Sequence, residues 1–134
     1  PDVPRRFLAY GHLAKRGGED RAYIWANLSA AWGFDDSAPS SKERAAACRA
    51  AAFEALTALH AAGTSFTNDR QTDQALCLDL LRRSRRFEDA EVAAKSLIRS
   101  APAEILVSIA RFQASRSLAR DDGRYTVEEA ISDD

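Results

Sequence analysis

The sequence predicts an all-α fold: six helices and a short seventh, arranged as antiparallel helical hairpins. Three observations carry this. Apolar residues recur at three-to-four spacing through successive blocks. Glycine, proline and capping residues separate those blocks at short intervals. No segment sustains a two-residue alternation, and β-branched residues are sparse. Short connections then make consecutive helices neighbours. The whole chain, residues 1–134, reads as a single helical domain.

The first block runs from Arg5 to Arg16, with Phe7, Leu8, Tyr10, Leu13 and Ala14 as its inward face. Gly11 inside it costs about 1 kcal/mol relative to alanine or marks a close helix crossing. Gly17-Gly18 ends it. The second block, Glu19 to Phe34, opens with two acids where the helix dipole favours them. Ile24, Leu28 and Ala31 share one face, and Trp25 and Trp32 a neighbouring stripe. Ser40 and Glu43 have capping-box spacing at the head of a third, alanine-rich helix that runs to Ala62, before Gly63. Its inward residues are Cys48, Ala52, Ala55, Leu56 and Leu59.

Asn68 caps the fourth helix, Asp69 to Arg83, which turns Leu76, Cys77, Leu80 and Leu81 inward. A turn at Ser84 to Arg86 leads into the fifth, Phe87 to Arg99, with Phe87, Ala90, Ala94, Leu97 and Ile98 inward. Pro102 suits the first turn of the sixth, which extends to Arg120 and packs through Ile105, Leu106, Ile109, Phe112 and Gln113. Thr126 and Glu129 repeat the capping-box spacing for a final helix through Ile131.

Composition narrows function. The 19 basic and 20 acidic side chains nearly cancel, so neither nucleic acid nor a membrane surface is an expected partner. Alanine supplies 27 residues, which makes the apolar content broad but shallow. No apolar run approaches the roughly 20 residues that span a bilayer, and no signal segment opens the chain. A cytoplasmic protein is the expectation. The 16 arginines against 3 lysines suit a GC-rich bacterial genome. The chain has no methionine and begins at Pro1, so a mature chain and an excised domain of a longer protein stand level.

The stretch Gln74 to Pro102 resembles a tetratricopeptide unit, a helix hairpin of roughly 34 residues. Leu81 stands where the first helix puts a large residue, Phe87 and Ala90 match the start of the second, and Pro102 matches the closing proline. Arg85 stands where the turn usually has glycine, and Gln74 where tryptophan is common. Ala94 is smaller than the usual aromatic there, and Leu97 larger than the usual alanine. The resemblance implies a right-handed stack of hairpins. The run Tyr23 to Trp32, with Leu80 to Ala90, is also similar to the helical half of uncharacterised bacterial proteins with a zinc-binding, cysteine-rich front half. The cysteine pairs of that front half are absent here, so no metal site carries over.

No catalytic constellation stands out. Cys48, Cys77, His12 and His60 have no metal-ligand spacing and read as packing residues. There is neither a G-x-S-x-G elbow nor a phosphate loop. The acid pairs Asp35-Asp36, Asp121-Asp122 and Glu128-Glu129 read as solvated caps. The expectation is therefore a non-enzymatic module without cofactor or metal. Arg82, Arg83, Arg85 and Arg86 read first as a helix C-terminus that favours cations, and second as a docking patch for an anion or acidic peptide. Arg111, Arg116 and Arg120 would extend that patch. The aromatic cluster at Tyr23, Trp25, Trp32 and Phe34 reads first as core, but an exposed tryptophan would be a binding anchor. Arg82, Arg83, Arg86 and Trp25 are thus the candidate contacts for a protein or peptide partner. The alternatives are an oligomerisation domain of a larger bacterial protein, with a second copy as partner, and a nucleic-acid accessory protein that uses the arginine cluster.

Overall fold

The computed structural model describes residues 3–37, 41–67, 69–100 and 103–132. Among these, all regular structure is helical: α1 (Val3–Arg16), α2 (Asp20–Ser37), α3 (Lys42–Ala61), α4 (Arg70–Arg83), α5 (Phe87–Ser100), α6 (Glu104–Leu118) and α7 (Val127–Ser132). The predicted all-α class and its order of helices are therefore present. Contacts sort the chain, expected as one domain, into two compact units, Pro1–Phe66 and Thr67–Asp134.

In the first unit α1 and α2 run antiparallel at very short range. A Cβ placed on Gly11 would lie 3.2 Å from Ala26 Cβ, and one on Gly33 would lie 2.8 Å from Pro4 Cγ. Gly11 thus marks a close crossing. Backbones this near leave no room for large side chains between them. The buried residues of α1 are accordingly Pro4, Gly11 and Ala14, with Leu8 packed at the edge of the core. Phe7, Tyr10 and Leu13, expected inward, are exposed instead. On its other flank α2 packs α3, burying Ala30, Ala31, Phe34, Ala45 and Cys48. Asp35 and Arg49 clamp this pair, with Arg49 Nη1 donating to Asp35 Oδ1 at 3.3 Å and Nη2 to Oδ2.

The second unit is built on α4, α5 and α6, each packed against the other two, with α7 against α6. Leu78, Ala94, Leu97 and Ala110 form its core. Leu80, Leu81, Ala90, Leu106, Phe112 and Gln113 are buried as the periodicity predicts. Leu76, Cys77, Phe87, Ile98 and Ile109 are only half-buried, and Ile105 is exposed. The final helix is capped as its spacing predicts: Thr126 N donates to Glu129 Oε1, and Glu129 N to Thr126 Oγ1, both at 3.1 Å. At α4 the cap is Asp69, whose carboxylate accepts from Gln71 N at 3.2 Å. The expected caps Ser40 and Asn68, and Pro102, lie outside the described residues.

Four helices end alike. After α1, α3, α4 and α6 the chain takes one residue through positive φ, and the next amide donates back across the last turn. Glycine occupies that position at Gly18 and Gly63, but arginine does so at Arg85 (φ 67°) and Arg120 (φ 57°). A left-handed residue with a Cβ costs about 1 kcal/mol. Arg85 recovers part of this through an exposed pair with Asp122 at 3.0 Å. Arg85→Gly is therefore expected to raise stability by up to about 1 kcal/mol in urea titration. Gly63→Ala, where φ is +82° and space is open, is expected to lower it by about as much.

Candidate functional site

Arg82, Arg83 and Arg86, three of the sequence-predicted partner contacts, lie at the end of α4 and the turn after it. Arg82 is 0% exposed and is the largest fully buried side chain. Its Nε donates to Gln113 Oε1 at 2.6 Å, its Nη1 to the Asp121 carbonyl at 2.6 Å and its Nη2 to Asp79 Oδ1 at 3.2 Å. Gln113 Nε2 closes the ring by donating to the same Asp79 oxygen at 3.1 Å. The guanidinium also stacks on the Tyr125 ring, 5.5 Å from its centroid. Each of its three nitrogens donates inside the protein and the side chain is fully buried, so Arg82 offers nothing to a partner. A buried cation persists only when paired and hydrogen-bonded, and this one is both.

The neighbouring arginines are engaged too. Arg83 is half-buried, its Nε 3.5 Å from the Asp122 carbonyl. Arg86 is exposed and pairs with Asp89 at 2.8 Å. Arg116 lies 5.1 Å from the Phe112 and Tyr125 ring centroids. Arg120 stacks over Phe87 and approaches Glu88 at 3.7 Å. The expected arginine patch is thus a set of intramolecular clamps, with Arg86 the member most open to solvent among the three predicted contacts.

The loop after α6 completes the clamp. Asp121 accepts from Tyr125 OH and from Gly123 N at 2.8 Å. These bonds, chiefly the one from Tyr125, hold its carboxyl below the usual carboxylate range, and the charges of Arg82 and Arg116 add to that. The same bond pushes the Tyr125 phenol up. Asp73, fully buried, accepts from Thr67 N at 2.8 Å and from Thr67 Oγ1. It also helps burial, the larger cause, to push the Cys77 thiol up to about 12. Burial raises Cys48 as well, partly offset by the Arg49 charge. Neither thiol is a thiolate at neutral pH.

The first unit exposes both tryptophans. Trp25 and Trp32 are 59% and 58% exposed, although the sequence places them first in the core. Trp25 leans on Phe66, its ring centroid 5.1 Å away at a 47° tilt. The two tryptophans are seven residues apart, two helical turns, and therefore lie along one stripe. Each precedes by two residues a side chain that lines the opposite side of α2, Asn27 and Phe34. Two residues rotate a helix by about 200°, so tryptophans and groove face opposite ways. On α1, Val3, Phe7 and Tyr10 are also exposed, each two residues from Arg5 or Leu8, which line the groove. The unit thus has an outer aromatic face and, behind it, a groove of about 470 Å³ between α1 and α3. In the second unit a groove of about 420 Å³ between α4 and α6 is bordered by Tyr125 of the preceding loop and by α7 through Val127 and Ala130.

No family model matches the chain, and neither a curated protein nor a solved structure matches it. Among the described residues no helix is long and apolar enough to cross a membrane, and no cluster of three or more histidine, cysteine or acidic side chains is placed to hold a metal ion.

Arg82→Ala is expected to destabilise the second unit by about 3 kcal/mol or more, because it strands Asp79, Gln113 and the Asp121 carbonyl. Arg83→Ala and Arg86→Ala should stay within about 1 kcal/mol of wild type. Urea unfolding followed by circular dichroism measures all three. The Asp121–Tyr125 bond has a pH signature. The folded pKa of Asp121 lies below its unfolded value, so its contribution is complete at neutral pH and is lost as pH falls through the folded pKa. Tyr125 is raised, so its contribution holds below about pH 10 and is lost as pH rises through the folded value. Tyr125→Phe is expected to be less stable than wild type at neutral pH, and the two should converge in acid.

Proposed function

We propose that this chain is a non-enzymatic helical-hairpin module that binds another protein through the outer face of its first unit. The observation that carries the reading is the pair of exposed tryptophans on α2, flanked by exposed apolar residues of α1. Tryptophan buries more apolar area than any other side chain, and leaving two in water costs stability that a bound partner would return. Two exposed tryptophans on one helical stripe suit an interaction site, since tryptophan leads the residues that dominate interface energetics.

The surroundings support a protein partner. Besides the groove's Arg5, α1 carries Arg6, Lys15 and Arg16 and no acid, so the helix that flanks the tryptophans is cationic. An acidic, amphipathic partner segment complements both features. Of the sequence-predicted contacts, Trp25 belongs to this face. Arg83 and Arg86 belong to the other unit and would serve as secondary contacts. A non-enzymatic role agrees with the protonated thiols and with arginines engaged in structural clamps. The likeness to tetratricopeptide hairpins supports the same class of function, since stacked hairpins act by offering surfaces. A second copy of the chain is the competing partner for the same apolar face.

The test compares wild-type protein with a Trp25→Ser/Trp32→Ser variant. Both side chains are largely exposed, so the variant should fold and keep its helical circular dichroism spectrum. Proteins retained from the source lysate by wild type and lost by the variant would support the reading. Identical retention by both would overturn it. Sedimentation velocity across concentration separates the self-association reading: a wild-type dimer that the variant abolishes would assign the face to a second copy.

A further inference from the structure

We propose that the groove between α1 and α3 is a binding site for a small carboxylate carrying an apolar tail. The floor is apolar. Leu8, Phe34, Ala47 and Cys48 line it, and Phe34 and Cys48 belong to the buried core of the unit. The rims are cationic. Arg5 on α1 and Arg44 on α3 border the groove from opposite walls, and both are exposed. Neither has an ion-pair partner among the described residues, in contrast to Arg49, Arg85 and Arg86 nearby in sequence or role. Arg44 is held by its stack over Phe34, 5.8 Å from the ring centroid, so its guanidinium sits above the apolar floor. Among the described residues no acidic side chain lines the groove.

A third feature is neutral. Asn27, 5% exposed, is buried at the groove and donates from Nδ2 to the Tyr23 carbonyl at 3.0 Å. That bond fixes the amide and leaves a second N–H on the same nitrogen to donate to an anion. Two unpaired guanidinium forks and an amide donor suit a carboxylate. The apolar floor suits a hydrocarbon or aromatic tail. The extent of the site decides between a small molecule and a peptide. Its wall residues span Arg5 to Leu8 on α1 and Arg44 to Cys48 on α3, about one turn of each. One turn houses a compact ligand and not an extended chain. The site lies on the side of α2 away from the tryptophans, so its failure leaves the reading of the outer face untouched, and the converse holds.

The test is a titration of isotope-labelled protein, followed by amide NMR, with octanoate and 3-phenylpropanoate and with the corresponding neutral amides. Both acids are expected to bind with Kd of about 0.1–1 mM, the range open to ligands of this size, and to shift Leu8, Asn27, Ala47 and Cys48. The amides should bind at least fivefold more weakly. Arg5→Ala and Arg44→Ala are surface changes that should fold, and each should weaken octanoate about five- to tenfold. Arg44→Lys should keep part of the affinity. Ala47→Phe, at an exposed position, should fill the groove and abolish the shifts while the rest of the spectrum holds. The proposal is overturned by no saturable shift up to about 10 mM acid. It is equally overturned by equal binding of acid and amide, or by shifts confined to the outer face. A peptide with a free C-terminus that binds more tightly than octanoate, with shifts running beyond the groove, would also overturn it.

Discussion

The arrangement depends on how a core made largely of alanine is filled. Methyl groups let helices approach closely, and at Gly11 and Gly33 α1 meets α2 at distances where an added Cβ would crowd Ala26 and Pro4. Such contacts leave little volume for leucine-sized residues between the helices. Where helices stand further apart, something long must span the space. In the second unit that residue is Arg82, whose aliphatic stem and stacked guanidinium fill the middle of the unit, where a leucine or phenylalanine would sit in a richer core. Once buried, the charge dictates its surroundings: Asp79 and Gln113 must face it, and the chain after α6 must bring the Asp121 carbonyl to it. Arg49 does the same on a smaller scale between α3 and α2, with Asp35 as its counter-ion.

The same constraint explains the surface. Close packing that excludes large side chains from between α1 and α2 expels Phe7, Tyr10, Leu13, Trp25 and Trp32 outward. Aromatic residues that a sequence reading assigns to the core become an exterior face, and Arg82, assigned to the exterior, becomes an internal clamp. The exchange is one packing decision seen from two sides. It also separates the units by character. The first presents its aromatics and the groove arginines Arg5 and Arg44 to solvent, whereas the arginines of the second are largely engaged within it.

The helices were legible in the sequence because their signals are local. Gly17-Gly18, Gly63, the Ser84–Arg86 turn and the Thr126–Glu129 box fix ends by backbone chemistry, and these ends are where the spacing puts them. Which face of each helix is buried was legible only in part, because periodicity reports a stripe and not the size of the gap it must fill. In α1 the large residues mark one stripe and the small ones another, and the small stripe is the packed one. The burial of Arg82 left one trace: Gln113 falls on the inward face of α6, and a buried amide requires a polar partner. Arg82 lies four residues after Leu78 on the same face of α4, which makes it a candidate for that partner. The positive φ of Arg85 also left a trace, an arginine at a turn position that favours glycine. The groove left none, because Arg5, Asn27 and Arg44 come from three helices and meet only through their packing.

Why one inter-helix space is open and the other filled follows from the contacts within each unit. In the first, α1 and α3 both pack on α2 and not on each other, so the space between them remains a groove with α2 as its floor. In the second, α4 and α6 pack on α5 and also touch, with Arg82, Asp79 and Gln113 bridging them and α7 lying against α6 at the border of what space is left. The bridging arginine of α4 has no counterpart across α1 and α3. Arg5 and Arg44 stand at the two edges of that space, and among the described residues no carboxylate lines it. The second unit supplies its own anion in Asp79 and its own bridging amide in Gln113. The first provides the cations and the amide of Asn27, and leaves the place of the anion to be filled from outside.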